Sequence, residues 1–135
     1  MPLFDLFKDE RANVRSIRRK TLKMIMEASK SSYPNEFAGF LSAEKGVINE
    51  LVLIPGTLSG ERSALFKMHM LPVDFRVVGT VHSHPSGECY PSGADLDLFR
   101  KYGWIHIIVC EPYDDDSWAC FNGRGEEVRR LKVVD

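Results

Sequence analysis

The stretch from Arg76 to Cys110 leaves the chain little freedom in its fold. Residues 76–84 form a β run ending in His82-Ser83-His84. Residues 92–102 carry helical periodicity and stop at Gly103, and residues 104–110 form a second β run. A strand, a helix and a strand joined by such short connections make a crossover, so the two strands are expected to run parallel. Both then end at the same edge of one sheet, where open α/β sheets hold their ligands. His84 ends the first strand and Cys110 ends the second.

The remainder of the chain supplies further strands and one more helix. Arg11, Arg15, Arg18, Arg19, Lys20 and Lys23 read as the solvated face of a helix whose apolar stripe is Leu22, Ile25 and Met26. That helix is expected to stop near Ser31–Tyr33, because Pro34 pushes the residue before it out of helical geometry. Residues 37–41 and 47–54 read as strands around Glu44-Lys45-Gly46, and residues 64–70 alternate as a half-buried strand. Residues 118–121 and 127–134 read as a hairpin around Asn122-Gly123-Arg124-Gly125. The expectation is an α/β fold: a single domain with a mixed β-sheet flanked by helices.

At 135 residues the chain has the size of one domain with its own core. Lys+Arg total 18 against Asp+Glu 19, a net charge of −1, which argues against a general nucleic-acid binder. No apolar run reaches membrane-spanning length, and the N-terminus carries no signal-peptide pattern. Three cysteines are too few for a disulfide-scaffolded secreted module. The expected compartment is the cytoplasm, with no nucleic-acid or membrane partner.

The chemistry concentrates between Val81 and Asp95. His82 and His84 share one face of a strand with Cα atoms about 6.6 Å apart. At that spacing two imidazoles can converge on one metal ion, although a bare His-x-His is more often a wet strand face. Asp95 adds the decisive feature. It lies with Leu98, Phe99 and Tyr102 on one helical stripe, and the other three are apolar, so the stripe faces the core. A carboxylate on a core-facing stripe needs a cation or a full set of hydrogen bonds. Ser92-x-x-Asp95 also resembles a capping box with Asp in place of Glu. Two histidines and an aspartate leave a fourth tetrahedral position for water, the pattern of a catalytic zinc site. Glu36, at the mouth of an apolar strand, reads either as a turn residue or as the base such a site needs.

Glu36, then His82-x-His84-Pro85, then Ser92-x-x-Asp95 resembles the JAMM (MPN+) metalloprotease motif, a Glu upstream of H-x-H-P-x6-S-x2-D. The resemblance spans roughly Val14 to Val134 and is closest to the small stand-alone archaeal members. It implies an MPN/cytidine-deaminase-like fold over residues 13–135, with residues 1–12 as an N-terminal extension. It implies one Zn2+ held by His82, His84 and Asp95, with water as fourth ligand. Glu36 would be the general acid/base, and Ser92 would help to hold the oxyanion. The implied activity is hydrolysis of isopeptide bonds at the C-terminus of a ubiquitin-like modifier protein, the expected partner. Processing of a sulfur-carrier protein's C-terminus and a non-catalytic scaffold role stand as alternatives, and self-association as a dimer is left open. A strand and loop near Thr57–Met68 is the candidate for binding the modifier's tail by β-addition.

Other residues carry lesser expectations. The crossover brings Cys89 and Cys110 to one sheet edge, so a Cys89–Cys110 disulfide is geometrically open, leaving Cys120 as a small core residue. His69 is expected to be exposed, and His106 semi-buried and hydrogen-bonded. Leu3, Phe4, Leu6 and Phe7 could dock on this chain or on a second copy. The residues argue against a zinc nucleobase deaminase, since that chemistry uses H-x-E followed by P-C-x-x-C and this chain has His-x-His and no C-x-x-C.

Overall fold

The computed structural model describes residues 13–53, 76–102 and 104–135. Its elements run β1 (Ser16–Arg18), α1 (Arg19–Ser32), β2 (Ala38–Glu44), β3 (Val47–Leu53) and β4 (Val77–His84). There follow α2 (Gly93–Tyr102), β5 (Ile105–Cys110), β6 (Trp118–Phe121), β7 (Glu127–Val128) and β8 (Lys132–Val134). The expected loop at 58–63, the strand at 64–70, the tail-binding stretch Thr57–Met68, His69 and the N-terminal residues 1–12 lie outside the described residues.

The strands form one mixed sheet in the order β7-β6-β5-β4-β2-β3-β1-β8. β4 and β5 pair in parallel through the crossover helix α2, with His84 opposite Cys110. β7 and β8 occupy opposite ends of that order, yet Arg129-Arg130-Leu131 alone joins them. Each residue spans at most about 3.6 Å, so the two ends must approach each other and the sheet must curl. Leu131 is buried at this junction. The hairpin expected over 118–134 is therefore corrected: its second arm breaks after Val128, and β8 pairs in parallel with β1 instead.

Strand alternation sorts the core into two layers. Leu41, Ala43, Ile107, Val109 and Cys120 pack on one face with Leu22, Ile25 and Met26 of α1. Ala38, Phe40, Ile108, Ala119 and Phe121 pack on the other with Leu98 and Phe99 of α2. The even-numbered positions of β4 near its end, His82 and His84, thus fall on the α2 face.

α1 ends as Pro34 requires: Tyr33 caps it in an extended conformation. Its start differs from the reading of the basic stretch as continuous helix. Residues 16–18 are a strand, because Ile17 is fully buried and β1 fills the gap between β3 and β8 with ladder hydrogen bonds.

Close backbone approach at the crossover depends on Gly79, where a Cβ would lie 2.0 Å from the carbonyl oxygen of Ile105. Gly79→Ala is expected to cost about 2–3 kcal/mol through overpacking. That corresponds to a fall of about 8 °C in the thermal midpoint. A melting curve matching wild type would show that β4 and β5 can separate without penalty.

Candidate metal centre

The site forms where β4 ends against the first turn of α2. His82 and Asp95 are fully buried and His84 is partly buried. His82 Nε2 and His84 Nε2 lie 3.1 Å apart. Asp95 Oδ1 is 3.0 Å from His82 Nε2, and Asp95 Oδ2 is 3.1 Å from His84 Nε2. A tetrahedron of ~2.0–2.1 Å zinc bonds has edges of about 3.3 Å. The three donors are therefore close to the spacing of one ion's ligands.

Donor chemistry points the same way. His84 Nδ1 faces the carbonyl oxygen of Glu88 at 3.1 Å. A carbonyl can only accept, so Nδ1 carries the hydrogen, and a neutral His84 turns a bare Nε2 lone pair toward the carboxylate. Asp95 Oδ1 is buried and accepts no hydrogen bond, although His82 Nε2 is 3.0 Å away. Lone pairs gathered at this distance without a shared hydrogen are what a divalent cation satisfies, and the residues fit Zn2+.

The local sequence explains why Asp95 stays fixed. Ser92 N–H donates to Asp95 Oδ2 at 2.8 Å, and Asp95 N–H donates to Ser92 Oγ at 3.1 Å. This is a reciprocal capping box. The helix cap and the candidate metal donor are thus the same carboxylate. Burial alone would raise the Asp95 pKa. The imidazoles of His82 and His84 and the Ser92 N–H around it outweigh burial and hold the carboxyl well below the usual range. Ser92 Oγ accepts one bond, so its O–H is available to a group in the site.

Glu36 is buried just ahead of β2. β2 pairs antiparallel with β4, Ala38 opposite His82, and two residues further the register sets Glu36 opposite His84. Its carboxylate and the two imidazoles offer donor atoms within 4.8 Å of one another. Phe37 N–H donates to Ser83 Oγ and Ser83 N–H donates to Phe37 O, each at 2.8 Å, which anchors the residue after Glu36 to the residue between the histidines.

Cys89 and Cys110 are disulfide-bonded with Cα atoms 5.4 Å apart, tying the loop between His84 and Ser92 to the end of β5. Cys120 is buried and free, and burial pushes its thiol up to about 11, which keeps it unreactive. His106 is fully buried, a correction to the semi-buried expectation. Its ring stacks on Phe99 at 4.2 Å and its Nδ1 is 2.7 Å from Thr80 Oγ1. Burial, then the neighbouring His82, lowers its pKa to about 3, so it is neutral at pH 7. Ser83 and Tyr113 were not singled out by the sequence. A serine whose neighbours on both sides are site histidines was the available signal for Ser83; Tyr113, after a proline in a turn, offered none.

The family described as prokaryotic homologs of the JAB domain matches residues 18–121. The chain belongs to this family. The JAB-domain chain is 40% identical over 129 residues to a probable metalloprotease of Haloferax volcanii, an alignment covering 88% of this chain and 79% of the relative. It is 48% identical to a JAB1/MPN domain protein from Archaeoglobus fulgidus of known crystal structure. That match has a TM-score of 0.72 and covers 89% of this chain and 99% of the other. A second solved structure, described as JAMM, a metalloprotease-like zinc site in the proteasome and signalosome, is 45% identical. Its TM-score is 0.71, with coverage of 90% and 99%. The JAB-domain chain is thus a member of the JAMM-type metalloprotease family, with the mixed α/β architecture expected. Among its described residues no helix is long and apolar enough to cross a membrane.

Proposed function

We propose that this JAB-domain protein is a zinc-dependent isopeptidase that cuts between the C-terminal glycine of a ubiquitin-like modifier and a lysine of its target. The observation that carries the reading is the buried Glu36 carboxylate grouped with the imidazoles of His82 and His84, which also converge on Asp95. The family resemblance supports the substrate class.

His82, His84 and Asp95 would hold the zinc ion. When bound there, zinc would supply Lewis-acid polarisation and a more acidic water. Glu36 accepts a proton from the attacking water as its oxygen bonds to the glycine carbonyl carbon. The Ser92 hydroxyl, already held by Asp95 N–H, donates to the oxygen on which negative charge develops. As the carbon–nitrogen bond breaks, Glu36 returns its proton to the departing lysine amine. The products are a modifier with a free terminal carboxylate and an unmodified lysine. A modifier tail would bind in extended form, by β-addition.

The test is incubation of zinc-loaded protein with a ubiquitin-like protein joined through its Gly-Gly terminus to a lysine side chain. Cleavage is expected, abolished by a chelator and restored by added zinc. Zinc-loaded protein that leaves a panel of such conjugates intact would remove the isopeptidase reading.

A further inference from the structure

Behind the site, opposite the metal donors, the loop after β5 holds Tyr113 in an unusual way. Its φ is +62°, a left-handed conformation that is costly for a bulky residue with a Cβ. The side chain is nonetheless 2% exposed. Such a conformation persists only where the surroundings over-determine it. Here they do so at three points. Tyr113 N–H donates to Cys110 O at 2.9 Å. The phenol O–H donates to His84 O at 3.2 Å. The ring sits edge-on to Tyr33, centroids 6.5 Å apart, and Tyr33 lies three residues before Glu36.

The phenol also hydrogen-bonds the Ser83 side chain, and Glu36 lies close enough for its charge to act on it. Ser83 Oγ already accepts from Phe37 N–H. A directed chain follows: Phe37 N–H to Ser83 Oγ, Ser83 O–H to the Tyr113 oxygen, Tyr113 O–H to the His84 carbonyl. One end is the backbone of the residue after the proposed base. The other is the backbone of a proposed metal ligand. Chains of this kind polarise along their length and fix the separation of what they join.

We propose that Tyr113 is a positioning residue that sets the distance between the Glu36 carboxylate and the metal centre, acting through Ser83 and the His84 carbonyl. The proposal rests on the reading of Glu36 as the base. Tyr113→Phe is the clean probe, because it keeps the ring, its contact with Tyr33 and the buried packing while removing one hydroxyl. Ser83→Ala breaks the same chain one link earlier.

The measurement is the pH dependence of the visible absorption of the cobalt-substituted protein, which needs no substrate, in wild type, Tyr113→Phe, Ser83→Ala and Glu36→Gln. Glu36→Gln is expected to move the midpoint of the spectral change by about one pH unit or more. Tyr113→Phe and Ser83→Ala are expected to move it in the same direction by about half a unit, a roughly threefold change in proton affinity. The double variant should move it no further than either single one, since both cut one chain. A Tyr113→Phe midpoint identical to wild type, beside a shifted Glu36→Gln midpoint, overturns the inference even if Tyr113→Phe melts earlier. A Glu36→Gln midpoint that does not move overturns the reading beneath it.

Discussion

Glu36→Gln is expected to retain wild-type zinc content while turnover of a modifier–lysine conjugate falls by about 10²–10⁴-fold, the usual worth of a positioned general acid–base. The substitution is nearly isosteric, so it leaves the packing at this buried position undisturbed. It removes the one property the reaction needs there, the capacity to take a proton and later give it back. Metal content should survive because His82, His84 and Asp95 make the close triangle, with separations of 3.0–3.1 Å, and Glu36 stands outside it. KM should change little, since Glu36 acts on the reacting atoms and not on the modifier's body. Metal analysis and steady-state kinetics on one preparation check both halves. Wild-type turnover would remove Glu36 from the mechanism; loss of zinc together with turnover would make it a ligand.

The crossover between Val77 and Cys110 was legible in the sequence because its periods change cleanly, from strand to helix to strand, between strong breakers. The convergence of His82, His84 and Asp95 followed from it, since a carboxylate on an apolar helical stripe has few physical explanations. β1 was not legible. Three residues give no period, and Ile17 is held by partners that arrive from Val47–Ile48 and Val133, far along the chain. The break after Val128 was hidden for the same reason: the alternation of 127–134 satisfies a hairpin locally, and only curling of the whole sheet brings β1 to Lys132–Val134. His106 was misjudged because alternation gives a face but not a depth. Its neighbours in space are Phe99 and Thr80, and their stacking and hydrogen bond make full burial of an imidazole tolerable. Tyr113 shows the limit most clearly, for its partners at Tyr33, Ser83 and His84 are joined by tertiary geometry alone.

Asp95 is where fold and chemistry meet, and its substitution carries the second large effect. Asp95→Asn keeps an oxygen that can accept from Ser92 N–H, whereas Asp95→Ala keeps neither that bond nor the charge. Both are expected to lose zinc on dialysis, since removing a ligand should exceed the 10–100-fold loss typical of a supporting residue. Stability separates the roles. A ligand that binds only the folded state at a thousand times its Kd stabilises by about 4 kcal/mol. For a chain of this length that is about 15 °C in the thermal midpoint, so chelation should lower the wild-type midpoint by that order. The midpoint of either variant should not respond to a chelator. Between the two variants, Asp95→Ala should melt lower by the worth of the lost cap, about 1 kcal/mol. A chelator response preserved in Asp95→Asn would mean that the carboxylate serves the helix alone and that zinc, if bound, is held by other donors. Equal melting of Asn and Ala variants would mean the reverse, that the hydrogen bonds to Ser92 follow from the metal geometry and contribute nothing of their own.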